Sequence, residues 1–325
     1  MTEGGGRASA SIVIPVWNGR SWLDACLSAI AAQTQPAAEV IAVDNGSSDG
    51  SVQHLRDAHP NVEVLELGRN TGFAHAANRG LQTSRHDLVA LVNTDVVLAE
   101  DWLERMMAAA EAHPTAGSVA CKMLALEDPE FVYDAGDVLR RDGACEQRGR
   151  FGRDDGRWNT AGEVFGACAG AALYRRDAVL SVGGFDERYF AYLEDVDLAL
   201  RLRLAGWSCR YEPAVARHAG EGSSSALAGG HQALVARNTV VLIAKAFPLV
   251  WLPYVAYRQS GWAWHALRER RLGRHLRALG SAVPMLPSAI RERRRLRASS
   301  VVAIEEVVPR RPFRGPRAEG HPSRR

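Results

Sequence analysis

Lysine is nearly absent from this chain of 325 residues: Lys122 and Lys245 are the only two among 40 basic side chains. Genomic base composition alone produces such a bias, so arginine as such is given no functional weight. The five cysteines (Cys26, Cys121, Cys145, Cys168 and Cys209) are odd in number, widely spaced and without a C-x-x-C pair. They suggest neither a cysteine zinc site nor a disulfide framework, and a reducing cytoplasm is the compartment that suits them. No apolar run reaches the roughly 18 residues a membrane-spanning helix needs. The best candidate, residues 240–257, is interrupted by Lys245, Pro248 and Pro253, and residues 1–10 hold no apolar stretch resembling a signal peptide. Also missing are the G-x-G-x-x-G dinucleotide fingerprint and the Walker phosphate loop, which argues against a dehydrogenase or a P-loop enzyme. No aromatic and basic interleaving marks a nucleic-acid module, so no nucleic acid is expected as partner.

What is present is ordinary for a globular protein, 46% hydrophobic and 24% charged, and sufficient for one large domain with an appendage. Charge is unevenly placed. Residues 258–325 carry 17 Arg against five Asp or Glu, a net +12, which leaves −9 for residues 1–257 of a chain whose formal total is +3.

Hydrophobic periodicity predicts strands over residues 11–16 (SIVIPV), 40–43, 62–67 and 88–93, alternating with helices over 22–32 (Ser21 as N-cap), 52–58, 73–82 and 101–112 (capped by Glu100 or Asp101). That alternation predicts an α/β fold with a doubly wound, mainly parallel sheet. Ligands of such sheets sit at the carboxyl ends of strands, where the strand order switches. After residue 120 the pattern turns irregular, and residues 128–158 read as long loops around a few strands. Regularity returns over 166–174, in a turn at 183–187, and in a helix over 195–205 that Gly206 ends. Further helices are expected over 226–247 and 261–279, with a Pro-, Gly- and Arg-rich tail after residue 300 that reads as disordered.

Four segments fall in the expected ligand loops. Pro15, Val16, Trp17 and Asn18 follow the first strand, while Asp44 follows the second in the turn DNGSSDGS, with Ser47 beside it. A carboxylate there can accept the imide N–H of uracil or thymine; it can equally just cap its own turn. Next, Arg69, Asn70, Gly72, Phe73 and Asn78 lie in GRNTGFAHAANRG. A glycine bend opening a helix can direct N–H groups at a diphosphate, though a plain strand-to-helix connection also explains the glycines. Asn93, Thr94 and Asp95 end the fourth strand, placing one carboxylate where a hard cation such as Mg²⁺ or Mn²⁺ could meet diphosphate oxygens. Last, GGFDERYFAYLEDVD crowds Glu194, Asp195 and Asp197 at a helix start, where the macrodipole favours anions and would keep Asp195 ionised but weakly basic. Asp197 and Arg201 have the spacing of an ordinary helix-surface pair.

Together and in this order, these segments resemble the inverting family 2 glycosyltransferases with the GT-A fold. The similarity runs over about residues 11–225 and is greatest to the rhamnosyltransferase-like branch, whose members carry patterns similar to GRNTGFAHAANRG, VNTDV, GGFDERYF and YLEDVDLALRL. The resemblance implies a nucleotide-binding half (11–100) and an acceptor or catalytic half (101–225), after a flexible stretch over 1–10. It implies base recognition by Asp44, a metal on Asp95, and Asp195 of the Glu194–Asp195 pair as catalytic base. His218 matches a histidine that completes the metal shell, its bland alternative being a structural histidine. Gly166, Cys168 and Gly170 match a segment beside the donor sugar and acceptor. The usual D-x-D signature reads N-x-D here, so Asn93 is expected on sugar or ribose rather than metal. The implied reaction moves a sugar such as rhamnose from a UDP- or dTDP-sugar to a hydroxyl of a glycan or lipid-linked acceptor in cell-envelope synthesis. The competing reading is a non-catalytic nucleotide-sugar or carbohydrate binder of the same fold.

The region 226–300 is expected to be a helical, basic, amphipathic extension, followed by a basic tail over 301–325. Helical projection of residues 261–279 gathers Trp264, Leu267, Leu272, Leu276 and Leu279 away from most of the arginines. Such a helix fits an anionic membrane surface and hence a peripheral position on the inner face of the cytoplasmic membrane. Packing on the catalytic domain or on a second subunit is the alternative.

Overall fold

The computed structural model describes residues 9–220 and 230–310. The first half alternates as expected: β1 (Ala10–Val16), α1 (Arg20–Ala31), β2 (Glu39–Asp44), α2 (Ser51–Ala58), β3 (Glu63–Glu66), α3 (Phe73–Thr83) and β4 (Leu88–Val92). Then come β5 (Val96–Leu98), α4 (Trp102–Ala112), β6 (Ala116–Ala125), β7 (Val132–Asp134), β8 (Asp137–Leu139), β9 (Cys145–Gln147) and β10 (Gly162–Val164). The second half closes with β11 (Ala171–Arg175), α5 (Arg176–Ser181), α6 (Glu194–Leu204) and β12 (Ser208–His218), before α7 (Gly230–Ala246), α8 (Leu252–Arg268), α9 (Leu272–Gly280), α10 (Leu286–Ser299) and α11 (Ile304–Val307).

The main sheet has the order β10-β12-β6-β11-β4-β1-β2-β3, with β5 beside β12 and β7 beside β6. β1 pairs in parallel with both β2 and β4, and β6 with β12, while β11 runs antiparallel between β4 and β6. The chain walks from β1 to β3 on one side and returns to β4 on the other, so the switch in strand order lies between β1 and β4. Because β11 is reversed, its start lies at the same edge as the carboxyl ends of β4 and β6. That geometry delivers residues 168–170 to the mouth of the switch crevice.

Three apolar clusters hold the layers. One lies under α1 and α4 (Leu23, Leu27, Trp102, Met106), another under α3, α5 and α6 (Ala76, Leu81, Val179, Leu198, Leu202). The third joins the outer face of α6 (Val196, Leu200, Leu204) to Val241, Leu242, Phe247, Trp251, Ala289 and Val308 of the C-terminal segments. α6 is thus buried on both sides, which is why its leucines do not fall on a single stripe. A buried ion network reinforces this seam. Lys245 Nζ lies 2.8 Å from Asp186 Oδ2, 2.8 Å from Asp197 Oδ1 and 2.9 Å from Glu292 Oε1, while Arg201 Nε donates to Asp197 Oδ2 at 2.7 Å.

Several expectations need correction. α1 starts at Arg20 after Gly19, so Ser21 lies within the helix, and Asp101 precedes α4 without a side-chain cap bond. The Asp197–Arg201 pair is buried rather than exposed, because the C-terminal helices cover that face. The single helix expected over 261–279 is split at residues 269–271, where Arg270 has φ +56. The long strands β6 and β12 and the helix α10 were not read from the sequence. Within residues 301–310, α11 forms and Val307 and Val308 are buried, so a structureless tail does not begin at 301. The expectations for residues 1–8, 226–229 and 311–325 lie outside the described residues.

Candidate active site

Four strands and one reversed strand bring their ends to the crevice: Trp17 and Asn18 after β1, Asp44 closing β2, Asn93 to Asp95 after β4, His218 closing β12, and residues 168–170 before β11. The two carboxylates singled out in the sequence flank one short segment. Asn93 donates its backbone N–H to the Gly170 carbonyl at 2.8 Å, and Ala169 N–H donates to Asp195 Oδ2 at 3.2 Å. The strand end bearing Asp95 and the helix start bearing Asp195 are therefore clipped to adjacent residues of a single strand lead-in. Gly170 lies against the Asn93 side chain and Cys168: a Cβ there would make ordinary contacts, 3.4 Å from Asn93 Nδ2 and 3.7 Å from Cys168 Sγ.

Asp95 is buried, with its Oδ1 3.4 Å from His218 Nε2. Tyr133 stacks obliquely on the His218 ring, centroids 4.4 Å apart, and His218 Nδ1 is a buried nitrogen without a hydrogen-bond partner. Octahedral Mg²⁺ binds oxygen ligands at about 2.0–2.1 Å and keeps several waters, so neighbouring ligand atoms lie about 3 Å apart. The Asp95–His218 spacing fits two such neighbours after slight closure. Among the described residues no third His, Cys or carboxylate joins this pair, which suits a cation that takes its remaining ligands from water and diphosphate.

Asp195 is half-buried, accepting from Ala169 N–H and, at 2.8 Å, from its own Val196 N–H at the start of α6. Burial raises its pKa from the ordinary carboxylate value despite those donors. The expected weak base is thus corrected: desolvation outweighs the helix start, and the carboxylate is the more basic for it. Glu194 beside it is buried with Oε2 unpartnered, and burial holds its carboxyl well above the usual range. Sequence reasoning missed two further acids in the 128–158 region. Asp134 and Asp137 are buried, each with an Oδ2 lacking a partner; burial pushes Asp134 up to about 7 and Asp137 well above its ordinary value. Asp195 accepts from two backbone N–H groups, which favour its charged form against its burial.

The nucleotide side is more mixed. Asn18 N–H donates to Ser47 Oγ at 2.9 Å and Asn18 Oδ1 accepts from Ser48 N–H at 2.8 Å, joining the β1 and β2 loops. Asp44 is buried and accepts from the backbone N–H of Gly46 and Ser47 at 3.1 to 3.3 Å, the turn-capping arrangement. A carboxylate offers about four lone-pair sites, so those bonds do not exhaust it. Arg69 is exposed beside this turn, its backbone against Gly46; Trp17 and Pro15 are half-buried.

Other expected contacts are taken by the fold itself. Val16 is fully buried in the core, and the Thr94 side chain packs on Gly19, where a Cβ would lie 3.0 Å from it. The start of α3 is not a free anion cradle. Thr71 and Gly72 N–H donate to Asn45 and Asn70 side chains, and Ala74 N–H to the Phe190 carbonyl. Gly72 (φ +90) is a glycine because Phe190 backbone would lie 2.5 Å from any Cβ, and Phe73 packs edge-on against Phe185. Asn78 spends its amide on both backbone groups of Phe185, locking the GGFDE turn to α3. Gly166 is small because Ala199 of α6 stands 2.6 Å from where its Cβ would be. Cys168 is half-buried and close to Gly170.

A mainly parallel sheet with flanking helices and its strand-order switch between β1 and β4 is the architecture of the GT-A fold. The chain belongs to glycosyl transferase family 2, whose family model matches residues 11–183. It is 31% identical over 307 residues to N-acetylglucosaminyl-diphospho-decaprenol L-rhamnosyltransferase of Mycobacterium tuberculosis, covering 84% of this chain and 92% of that one. Among solved structures, GalNAc-T7 with UDP, GalNAc and Mn²⁺ superposes with TM-score 0.62 at 14% identity, over 77% of this chain and 50% of that chain. A Pyrobaculum calidifontis mannosyltransferase in complex with GDP-Man and Mn²⁺ gives 0.53 at 18% identity, over 91% of this chain and 86% of that one. These two likenesses show the fold; the family assignment makes the chain a glycosyltransferase.

Proposed function

We propose that the chain transfers a sugar, with rhamnose the first choice, from a UDP- or dTDP-sugar to a hydroxyl of a lipid-linked or glycan acceptor in cell-envelope synthesis, with inversion. The carrying observation is that Asp195 and the Asn93 to Asp95 strand end are tied to consecutive residues, Ala169 and Gly170. One donor can then lie between them. The choice of rhamnose and of a lipid-linked acceptor follows the name of the mycobacterial relative.

Attack by the acceptor oxygen at the anomeric carbon forms the new glycosidic bond as the bond to diphosphate breaks. The hydroxyl proton passes to Asp195, a general base whose raised pKa suits the task. A divalent cation, Mg²⁺ or Mn²⁺, held by Asp95 and His218 would supply charge neutralisation for the departing diphosphate. Asp44 and the joined Asn18–Ser47 loop are assigned to the base and ribose, Asn93 to the sugar, and Arg69 to the diphosphate. With one carboxylate opposite the leaving group, displacement occurs once and needs no covalent intermediate.

The exposed apolar side chains of the C-terminal helices are assigned to an anionic membrane surface, which gives access to a lipid-linked acceptor and a peripheral position on the cytoplasmic membrane. None of the described helices is long and apolar enough to cross a membrane.

The decisive experiment is transfer by Asp195→Asn. Turnover is expected to fall by at least about 10²-fold with donor affinity nearly unchanged, as for an interaction made only in the transition state. A variant keeping more than about a tenth of turnover would exclude Asp195 as base.

A further inference from the structure

A second group of metal-ligating side chains lies away from the crevice, on the seam between α1 and α2. Asp24 stands one turn into α1, His54 projects from α2, and His59 is the residue that ends α2. Both imidazole Nε2 atoms aim at the same oxygen, Asp24 Oδ1, at 2.6 and 3.0 Å. The rings stand edge to face with centroids 5.4 Å apart, and one ligand atom from each of the three residues lies within 4.8 Å of the others. The histidine side chains are only 17% and 23% exposed, while Asp24 is 60% exposed, so the imidazoles are held in place and the open side faces solvent.

We propose that Asp24, His54 and His59 form a binding site for a Zn²⁺-class transition-metal ion, separate from the cation of the transfer reaction. Two imidazole nitrogens and one carboxylate suit Zn²⁺ or Co²⁺, whereas Mg²⁺ favours sites in which oxygen ligands predominate. Zn²⁺ binds His nitrogen and carboxylate oxygen at about 2.0–2.2 Å, so tetrahedral neighbours lie about 3.4 Å apart. Without metal, the two N–H groups and the carboxylate oxygen hold one another closer than that. Opening the cluster for an ion takes side-chain shifts of under about 1 Å on that geometry. Metal at Nε2 leaves each ring proton on Nδ1, and any imidazolium releases its second proton to solvent.

The surrounding charges leave the site usable. Asp24 is 60% exposed, an ordinary surface carboxylate that is anionic at neutral pH. Arg20 Nη1 lies 3.4 Å from Asp24 Oδ2, the oxygen turned away from the histidines, and leaves Oδ1 to the ion. An ion here would pin α1 to α2. At the inner end of the same seam, Asp49 already ties the two helix starts, accepting from Arg20 N–H at 2.9 Å and from Ser51 Oγ at 2.5 Å. The metal would thus fasten the outer end of the unit that carries the loop bonds between Asn18, Ser47 and Ser48.

The test is Zn²⁺ titration by calorimetry of chelator-treated, full-length, tag-free protein in excess Mg²⁺, with Co²⁺ as a spectroscopic probe. One saturable Zn²⁺ site is expected, with a four-coordinate Co²⁺ absorption band and a rise in melting temperature that chelation reverses. His54→Gln and His59→Gln should each weaken Zn²⁺ by more than about tenfold, the loss that follows even indirect damage to a metal ligand. Asp95→Ala should leave Zn²⁺ binding intact. Absence of saturable binding in the wild type, or unchanged Zn²⁺ affinity in the double histidine variant, would overturn the proposal. Loss of the Zn²⁺ site in Asp95→Ala alone would do the same by placing it in the crevice.

Discussion

At the scale of single residues, the four acids around α6 differ by what they are given to bond. Asp195 has two backbone N–H donors, whereas Asp134, Asp137 and Glu194 each leave a buried oxygen without one. Desolvation outweighs such donors as they have and favours the neutral form. Asp134, beside Asp195, Asp137, Gln147 and Arg150, is pushed up to about 7. Between the unfolded value near 4 and that point, the native state binds more protons, so stability falls as pH rises across this window. The loss is on the order of a few kcal/mol by pH 8. Asp134→Asn should therefore be more stable than wild type at pH 8, with the advantage gone near pH 5, as read by urea denaturation at both pH values. An equal difference at the two pH values would show that Asp134 is not the titrating group. Asp195 gives the complementary kinetic expectation: turnover declines as pH drops through its raised pKa, because only the carboxylate can take the acceptor proton.

At the scale of elements, legibility followed periodicity. The strand and helix alternation from β1 to α4 could be read because each helix there shows one apolar face and the central strands β1, β2 and β4 are short and largely buried. β12 was missed because it carries Arg, Glu and Pro among its apolar residues (SCRYEPAVARH) and pairs with β6, β10 and β5 through a register break. α8 keeps part of the expected amphipathic character: Tyr254, Tyr257 and Trp264, at i, i+3 and i+10, share a face and are 58%, 82% and 63% exposed. Leu249, Val250, Leu267 and Leu276 are further exposed apolar side chains of the C-terminal segments. Replacing Tyr257 and Trp264 together by Ser should reduce co-sedimentation with vesicles rich in anionic lipid by several-fold while leaving the melting temperature within a few degrees. Co-sedimentation of the wild type that ignores anionic lipid content would count against membrane contact.

At the scale of the whole molecule, the C-terminal helices are part of the catalytic body. Lys245 of α7 is fully buried among Asp186 of the GGFDE turn, Asp197 of α6 and Glu292 of α10, so three distant stretches of chain meet at one ammonium. Arg188 pairs with both Asp186 and Glu292 alongside it. Removing one partner of a buried ion group leaves uncompensated charge and costs about 3–5 kcal/mol. Lys245→Ala should lose that much in denaturant titration, and transfer activity should fall as well, since α6 carries Asp195. A variant with unchanged stability would mean that the seam is held by the apolar cluster alone.

The order of strands and helices in the first half and the family were determined by the sequence itself. Local pattern and motif spacing carry that information along the chain. Which of the motif residues face the crevice was decided only by tertiary structure. Val16, Gly72, Asn78, Thr94 and Gly166 are tied to partners far away in sequence (core, Phe190, Phe185, Gly19 and Ala199), and no local pattern records such partners. The acids Asp134 and Asp137, the buried Lys245 and the His54, His59 and Asp24 cluster have the same origin. Their chemistry comes from desolvation and convergence, which exist only once the chain is folded.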